Sequence, residues 1–71
     1  MEYSVILHKA EEGGFWVEVP ALPGCYSQGE SPEEALTNVK EAIELYVEVL
    51  RDDDQPIPRD EEVVFKVVVA A

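Results

Sequence analysis

Apolar and polar residues alternate in the first third of the chain with the two-residue period of a half-buried β-strand. Phe15, Val17 and Val19 lie on one side of such a strand, and Trp16 and Glu18 lie on the other. The same alternation at residues 3–8 and a short polar stretch at residues 25–28 predict two more strands. Turns are predicted between them at the glycine-ended segment 9–14 and the proline–glycine segment 20–24. We therefore expect a three-stranded antiparallel meander.

Residues 32–51 carry the three- and four-residue spacing of an amphipathic helix. Ser31 is a favourable N-cap, Pro32 suits the first helical position, and Glu34 stands where a capping box requires an acid. Prolines at residues 56 and 58 forbid regular helix beyond this point, so the segment up to residue 62 is predicted to be a loop. The apolar stripe of the helix comprises Ala35, Leu36, Val39, Ala42, Ile43, Tyr46, Val47 and Leu50.

Residues 63–69 are β-branched and almost continuously apolar, which is typical of a strand covered on both faces. The helix-length connection before this segment permits parallel pairing with the first strand through a right-handed crossover. Residues 1–71 are thus predicted to form a single small α+β domain of order β-β-β-α-β. We expect a four-stranded mixed sheet with one helix packed on one face.

One helix covers only one face of such a sheet, so the opposite face is predicted to stay open. Large aromatic side chains beside polar groups are favoured at the centres of protein interfaces, and this face is therefore a candidate partner-binding surface. If the strand phase were shifted by one residue, Trp16 would instead belong to the core. The residues assigned to the open face are Ile6, His8, Trp16, Glu18 and Tyr26, with Val64, Lys66 and Val68 from the last strand.

Sixteen acidic residues against five basic ones give a formal net charge of -11. A charge of this sign opposes direct binding to nucleic acid. It favours either a basic protein partner or simple solubility, and composition alone leaves both open. Glu41, Glu44 and Glu48 on the polar side of the helix are the acids that we expect to contribute to a partner interface.

A chain of 71 residues buries a modest core, so self-association into a homodimer or a higher homo-oligomer is expected to add stability. The lone cysteine permits no internal disulfide, which favours a reducing compartment. The sequence also lacks a secretion-signal pattern and an apolar run of membrane-spanning length. A cytoplasmic location is therefore predicted.

The sequence offers no arrangement of residues for catalysis. His8 is the only histidine and Cys25 the only cysteine, and their spacing suggests no nucleophile–base pair. A single residue of each type also excludes the softer metal sites, and the acidic run at residues 52–54 lacks the alternating spacing of an EF-hand loop. No catalytic, cofactor-binding or metal-binding residue is expected, and the protein is predicted not to be an enzyme.

Three segments together resemble the HicB-type antitoxin family, and they span nearly the whole chain. They read FWVEVPALPGCYSQG, ESPEEALTNVKEAIELYVEVL and QPIP. The family's hallmarks are a proline–glycine turn after a strand, a short strand ending in glycine, a Glu-Ala helix entry and a Pro-Ile-Pro loop. In this sequence they correspond to Pro23-Gly24, Gly29, Glu34-Ala35 and Pro56-Ile57-Pro58.

The resemblance implies a truncated ribonuclease H-like fold, in agreement with the element order predicted above. It also implies that the domain binds a small basic HicA-type toxin that cleaves RNA, and that it occludes the toxin's active site. Many members carry a helix-turn-helix or ribbon-helix-helix segment after this domain. Because the sequence stops at Ala71, directly after the predicted last strand, no such segment and no direct DNA binding are expected.

Two other functions remain open from the sequence. A solitary oligomeric module could bind another protein or a small ligand without any toxin partner. Alternatively, a metal-dependent nuclease could retain the chemistry of the parent fold by recruiting Glu2, Glu44 or Asp60. The absence of an acid at residues 4–7, in the middle of the first strand, counts against the nuclease, because function depends on the site and not on the scaffold.

Overall fold

The computed structural model describes residues 1–61 and 65–70, and this part of the chain forms three β-strands followed by one α-helix. Strand β1 spans Ile6–Lys9, β2 spans Phe15–Glu18, and β3 spans Tyr26–Gly29. Helix α1 spans Pro32–Asp52. The strands form one sheet of order β1-β2-β3 in which both pairs are antiparallel. The predicted meander and the helix after it are confirmed.

The side chains of β2 alternate between the core and the opposite face of the sheet. Val17 is 0% exposed, whereas its neighbour Trp16 is 38% exposed. The alternative in which Trp16 belongs to the core is therefore wrong. Phe15 packs against the core from the same side as Val17, as predicted. The buried core cluster comprises Val17, Val19, Leu22, Cys25, Ala35 and Val39.

The turn between β2 and β3 folds back under the helix and completes this core. The Leu22 N–H donates to the Val19 carbonyl at 3.0 Å, and the Cys25 N–H donates to the Leu22 carbonyl at 2.9 Å. Leu22 is fully buried. Gly24 has a φ of +81°, a left-handed conformation that other residues adopt at a cost. The proline–glycine pair is thus needed for the turn geometry that directs Leu22 inward.

The helix begins as its sequence signals predict, and β3 approaches it closely. The Ser31 hydroxyl accepts a hydrogen bond from the Glu34 N–H at 3.1 Å. A Cβ atom placed on Gly29 would lie 2.5 Å from the Ala35 nitrogen and 2.9 Å from its Cα. Glycine at the end of β3 and alanine in the first turn of α1 therefore allow the two backbones to meet.

Helix α1 packs on β3 and β2, at one side of the sheet. The Asn38 amide nitrogen donates to the Gln28 carbonyl of β3 at 2.8 Å, and the Tyr46 hydroxyl donates to the Pro23 carbonyl at 2.9 Å. Leu7, on the helix-facing side of β1, remains exposed. The helix is thus displaced toward β3 and leaves β1 largely uncovered.

The first strand is shorter than predicted, because it begins at Ile6 and not at residue 3. The Ser4 N–H and its hydroxyl both donate to the Asp60 carboxylate at 2.8 Å. The Tyr3 hydroxyl donates to the Pro58 carbonyl. These residues contact the loop after the helix, which explains why they do not extend the β1–β2 ladder.

The fourth strand predicted at residues 63–69 is not present in the described part of the chain. Residues 65–70 belong to no strand and are exposed, and residues 63 and 64 lie outside the described residues. Strand propensity acts only where a neighbouring strand and a covering layer are available, and one copy of the chain covers neither side of residues 65–70. Lys66 and Val68 are therefore not part of the sheet face to which they were assigned, and Val64 lies outside the described residues.

Candidate protein-binding surfaces

The face of the sheet opposite the helix forms a continuous surface across all three strands, on which Trp16 and Tyr26 are exposed and Ile6, His8 and Glu18 are half-buried. Cross-strand pairing places Ile6, Glu18 and Tyr26 in one row. The next row contains His8, Trp16 and Gln28. We call this surface the open sheet face, and it brings together the five sheet residues predicted as a partner interface: Ile6, His8, Trp16, Glu18 and Tyr26.

His8 and Trp16 form an ordered pair at the centre of the open sheet face. Their rings stack with centroids 4.0 Å apart and an interplanar angle of 15°. The His8 Nε2 atom lies 3.4 Å from the Glu18 Oε1 atom, an ion pair only when the histidine is protonated. Nε2 is shielded from solvent and makes no hydrogen bond of good geometry. The stack therefore fixes the orientation of Trp16 and leaves its other side free for contact.

Tyr26 extends the aromatic surface toward the edge of the sheet. Its side chain is exposed, and it borders a shallow depression of about 500 Å³ together with Trp16, Ser27 and Gln28. Aromatic rings beside a carboxylate are suited to an arginine or lysine side chain, which gains both cation–π attraction and charge pairing. Glu18 supplies the carboxylate next to Tyr26. The open sheet face can thus accept a basic side chain from a partner protein.

A second surface lies on the outer side of the helix. Glu41, Glu44 and Glu48 are exposed there, at a spacing that keeps them on one side of α1. Within residues 1–61 and 65–70 the only ion pair is that of His8 with Glu18. None of these three residues, which we call the acidic helix ridge, therefore forms an ion pair with a described side chain.

The predicted interface residues form two separate groups. The open sheet face and the acidic helix ridge point in opposite directions, because α1 packs on the other face of the sheet with its acids outward. A helix with its side chains is roughly 10 Å thick. The two surfaces are therefore separated by the thickness of the helix and of the sheet.

A third feature is a groove between α1 and the uncovered edge of the sheet, with a volume of about 660 Å³. Tyr3 and Val5 form one wall, and the side of the helix that faces β1 forms the other. We call it the β1 groove. The lining of the helix wall comprises Leu36, Val39, Lys40, Ile43, Glu44, Val47, Glu48 and Arg51.

Sequence reasoning missed an apolar patch on the side of the helix next to β3. Leu45 and Val49 are each more than half exposed. They border a shallow depression together with Tyr26 and Tyr46. Both are apolar, four residues apart and outside the predicted stripe, and this spacing was the signal that could have revealed them.

The described residues contain no arrangement suited to metal chemistry. Across residues 1–61 and 65–70 no group of three or more His, Cys, Asp or Glu side chains could hold a metal ion. Two of the acids that a metal-dependent nuclease could recruit lie in different places: Asp60 accepts a hydrogen bond from Ser4, and Glu44 lies on the acidic helix ridge. Cys25 is buried, and the loss of solvent raises the pKa of its thiol above the ordinary 9.0.

No helix in the described part of the chain combines the length and the apolar character needed to cross a membrane.

Comparison with known proteins identifies the family. A family model described as a HicB-like antitoxin of bacterial toxin-antitoxin systems matches residues 3–68. The fold is similar to a crystal structure of the N-terminal domain of the antitoxin HicB of Burkholderia pseudomallei, with a TM-score of 0.71 and 33% sequence identity. That match covers 97% of this chain and 74% of the other. The chain belongs to the HicB-like antitoxin family.

Relatives of similar length support this assignment. A UPF0150 protein of Thermoplasma acidophilum is 53% identical over 60 residues, which is 84% of this chain and 87% of the relative. A UPF0150 protein of Synechocystis is 47% identical over 62 residues, covering 87% and 78% of the two chains. The resemblance in the sequence motifs is confirmed.

Proposed function

We propose that this chain is a non-catalytic antitoxin that binds a small basic HicA-like toxin and occludes its RNA-cleaving site. Family membership supports a role in a toxin-antitoxin system. The observation that carries the choice of a basic partner is the acidic helix ridge, whose acids form no ion pair among the described residues, within a chain whose net charge is -11. A basic nuclease attracts RNA through positive charge, and an acidic protein competes for that same surface.

In this proposal the two surfaces have different roles. The open sheet face makes the contact, because Trp16 is held by its stack on His8 and Tyr26 is exposed beside Glu18. Rigid aromatic side chains of this kind are enriched among the residues that dominate binding energy. The acidic helix ridge acts at longer range, since its field raises the encounter rate over roughly the 8–10 Å of the Debye length.

We further propose that the protein works in the cytoplasm as a homo-oligomer of one HicB-like domain per copy. A fourth strand, supplied by the C-terminal segment, completes the sheet at the edge of β1. The small core and the exposed apolar residues 65–70 support this part of the proposal. Direct binding to nucleic acid is not part of it, because the charge has the wrong sign.

A binding experiment with the small basic protein encoded beside this chain tests the proposed contact surface. Trp16→Ala is expected to weaken the complex by about 2 kcal/mol, mainly through faster dissociation, as is typical of a buried aromatic anchor. Leu36→Ala is the control, because it removes an exposed apolar side chain of the helix that lies in the β1 groove and away from Tyr26. A larger loss from Leu36→Ala would move the contact to the helix and contradict the proposed surface.

Charge reversal tests the role of the ridge. Replacing Glu41, Glu44 and Glu48 together by lysine is expected to slow association about 10-fold at low salt, with little change in dissociation. The control carries the same charge change at three other exposed acids, Glu2, Glu11 and Glu12. Equal slowing in both triple variants would show that total charge steers the encounter, and would contradict a specific role for the ridge.

A further inference from the structure

The C-terminal segment leaves an unusual amount of apolar surface in water. Phe65, Val67 and Val69 are each at least 80% exposed, and Val68 is 97% exposed. Apolar side chains exposed consecutively in this way mark an interaction site and not an ordinary surface. Their β-branched and aromatic composition favours an extended strand over any other conformation.

The sheet has a site of matching character at the edge of β1. Described pairing uses only the β2 side of β1, and the other side has no strand beside it in residues 1–61 and 65–70. On the helix-facing side of this edge lies the β1 groove, which Tyr3 and Val5 line, and Leu7 on the same side of β1 is exposed. An added strand there would gain ladder hydrogen bonds and would bury apolar side chains.

Residues 65–70 do not occupy this edge in their own copy. Asp60 is held beside Ser4 by two hydrogen bonds, just before β1 begins. Residues 65–70 of the same copy nevertheless belong to no strand and are exposed.

We propose that two copies of the chain exchange these segments, so that residues 65–70 of each copy form a strand on the β1 edge of the other. Phe65, Val67 and Val69 then point into the β1 groove, while Lys66 and Val68 lie on the side of the open sheet face. This proposal specifies the source of the fourth strand proposed above. It does not require that a toxin partner exists.

The area involved is sufficient for a stable dimer. The three side chains that point into the groove carry roughly 400 Å² per copy. Two exchanged segments and the groove walls that they cover therefore bury on the order of 1,600 Å², which is within the range of specific protein interfaces. Because each copy carries a net charge of -11, the copies repel one another and the dimer is held by apolar contact.

The mass of the protein in solution tests whether two copies exchange their C-terminal segments. The full chain is expected to be a dimer at micromolar concentration, and Val67→Asp combined with Val69→Asp is expected to raise its dissociation constant by about 100-fold or more. Val68→Asp is the matched control, because its side chain lies outside the groove and should leave the dimer intact. Circular dichroism of each variant establishes that the fold is retained. A monomeric wild-type chain, or a dimer equally sensitive to Val68→Asp, overturns the proposal.

Cysteine cross-linking distinguishes exchange from pairing within one copy. In a Cys25→Ala background, copies carrying Leu7→Cys are refolded together with copies carrying Val67→Cys and oxidised. Exchange predicts a disulfide-linked pair of twice the chain mass, at a yield well above that of the pair Leu7→Cys with Val68→Cys. Equal yields of the two disulfide-linked pairs would contradict the proposed strand, in which residues 67 and 68 lie on opposite faces of the sheet.

The dependence on ionic strength distinguishes the proposed dimer from a complex with a toxin. Screening weakens the repulsion between two acidic copies, so the dimer should tighten as ionic strength rises, whereas a complex with a basic toxin should loosen. The prediction of a dimer can therefore fail while the prediction of toxin binding holds, or the reverse.

Discussion

The contact between Gly29 and the first turn of the helix gives a sharp test of the packing. A Cβ atom at Gly29 would lie 2.5 Å from the Ala35 nitrogen and 2.9 Å from both the Ala35 Cα and the Glu34 carbonyl carbon. All three are backbone atoms, so no side-chain rotation relieves the overlap, and the helix must move away from β3. Gly29 does not have a positive φ, so the cost of Gly29→Ala is steric alone.

Overpacking of this kind typically costs 1–3 kcal/mol, and we expect Gly29→Ala to cost about 3 kcal/mol because backbone must shift. Gly13→Ala is the control, since Gly13 has a φ of +99° but no atom within 4 Å of the added methyl. Only the conformational penalty of about 1 kcal/mol applies there. The two variants are compared by urea unfolding at one protein concentration, because oligomerisation adds to apparent stability. A smaller loss for Gly29→Ala than for Gly13→Ala would refute the close contact.

Three further outcomes follow from the described residues. Ser31→Ala should lower the free energy of unfolding by about 1 kcal/mol in urea titrations, because the Glu34 N–H loses its partner, and Ser31→Asp should restore most of it. Cys25 should react slowly with a thiol reagent in the folded protein and rapidly in urea, and equal rates would contradict its burial. Because the folded thiol has the higher pKa, its contribution to stability is complete below pH 9.0 and is lost as pH rises past that value. The unfolding free energies of the wild type and of Cys25→Ala should therefore diverge between pH 8 and 10. Parallel dependences of the two free energies on pH would contradict the raised pKa of the Cys25 thiol.

The meander and the helix could be predicted because local chemistry decides them. Alternation placed Val17 inward and Trp16 outward, and Ser31 and Pro32 set the start of the helix, as the structure confirms. Membership of the family was also recognisable from the motif order, and Gly29 now has a packing reason for its place in that motif.

The remaining features depend on which elements meet in space. The strand predicted at residues 63–69 failed in its described part because strand formation requires a neighbour that one copy does not place there. The displacement of the helix toward β3, which opens the β1 groove, follows from side-chain bonds such as that of Asn38 to the Gln28 carbonyl.

Inhibition of a cognate toxin's RNA cleavage tests the proposed antitoxin function. The small basic protein encoded beside this chain is incubated with RNA, and cleavage is followed as this protein is added. We expect cleavage to be abolished near a stoichiometric ratio, and we expect the Trp16→Ala variant to require a clear excess of protein for the same effect. If that neighbour cleaves RNA at an unchanged rate in the presence of excess folded protein, the proposed antitoxin function is contradicted.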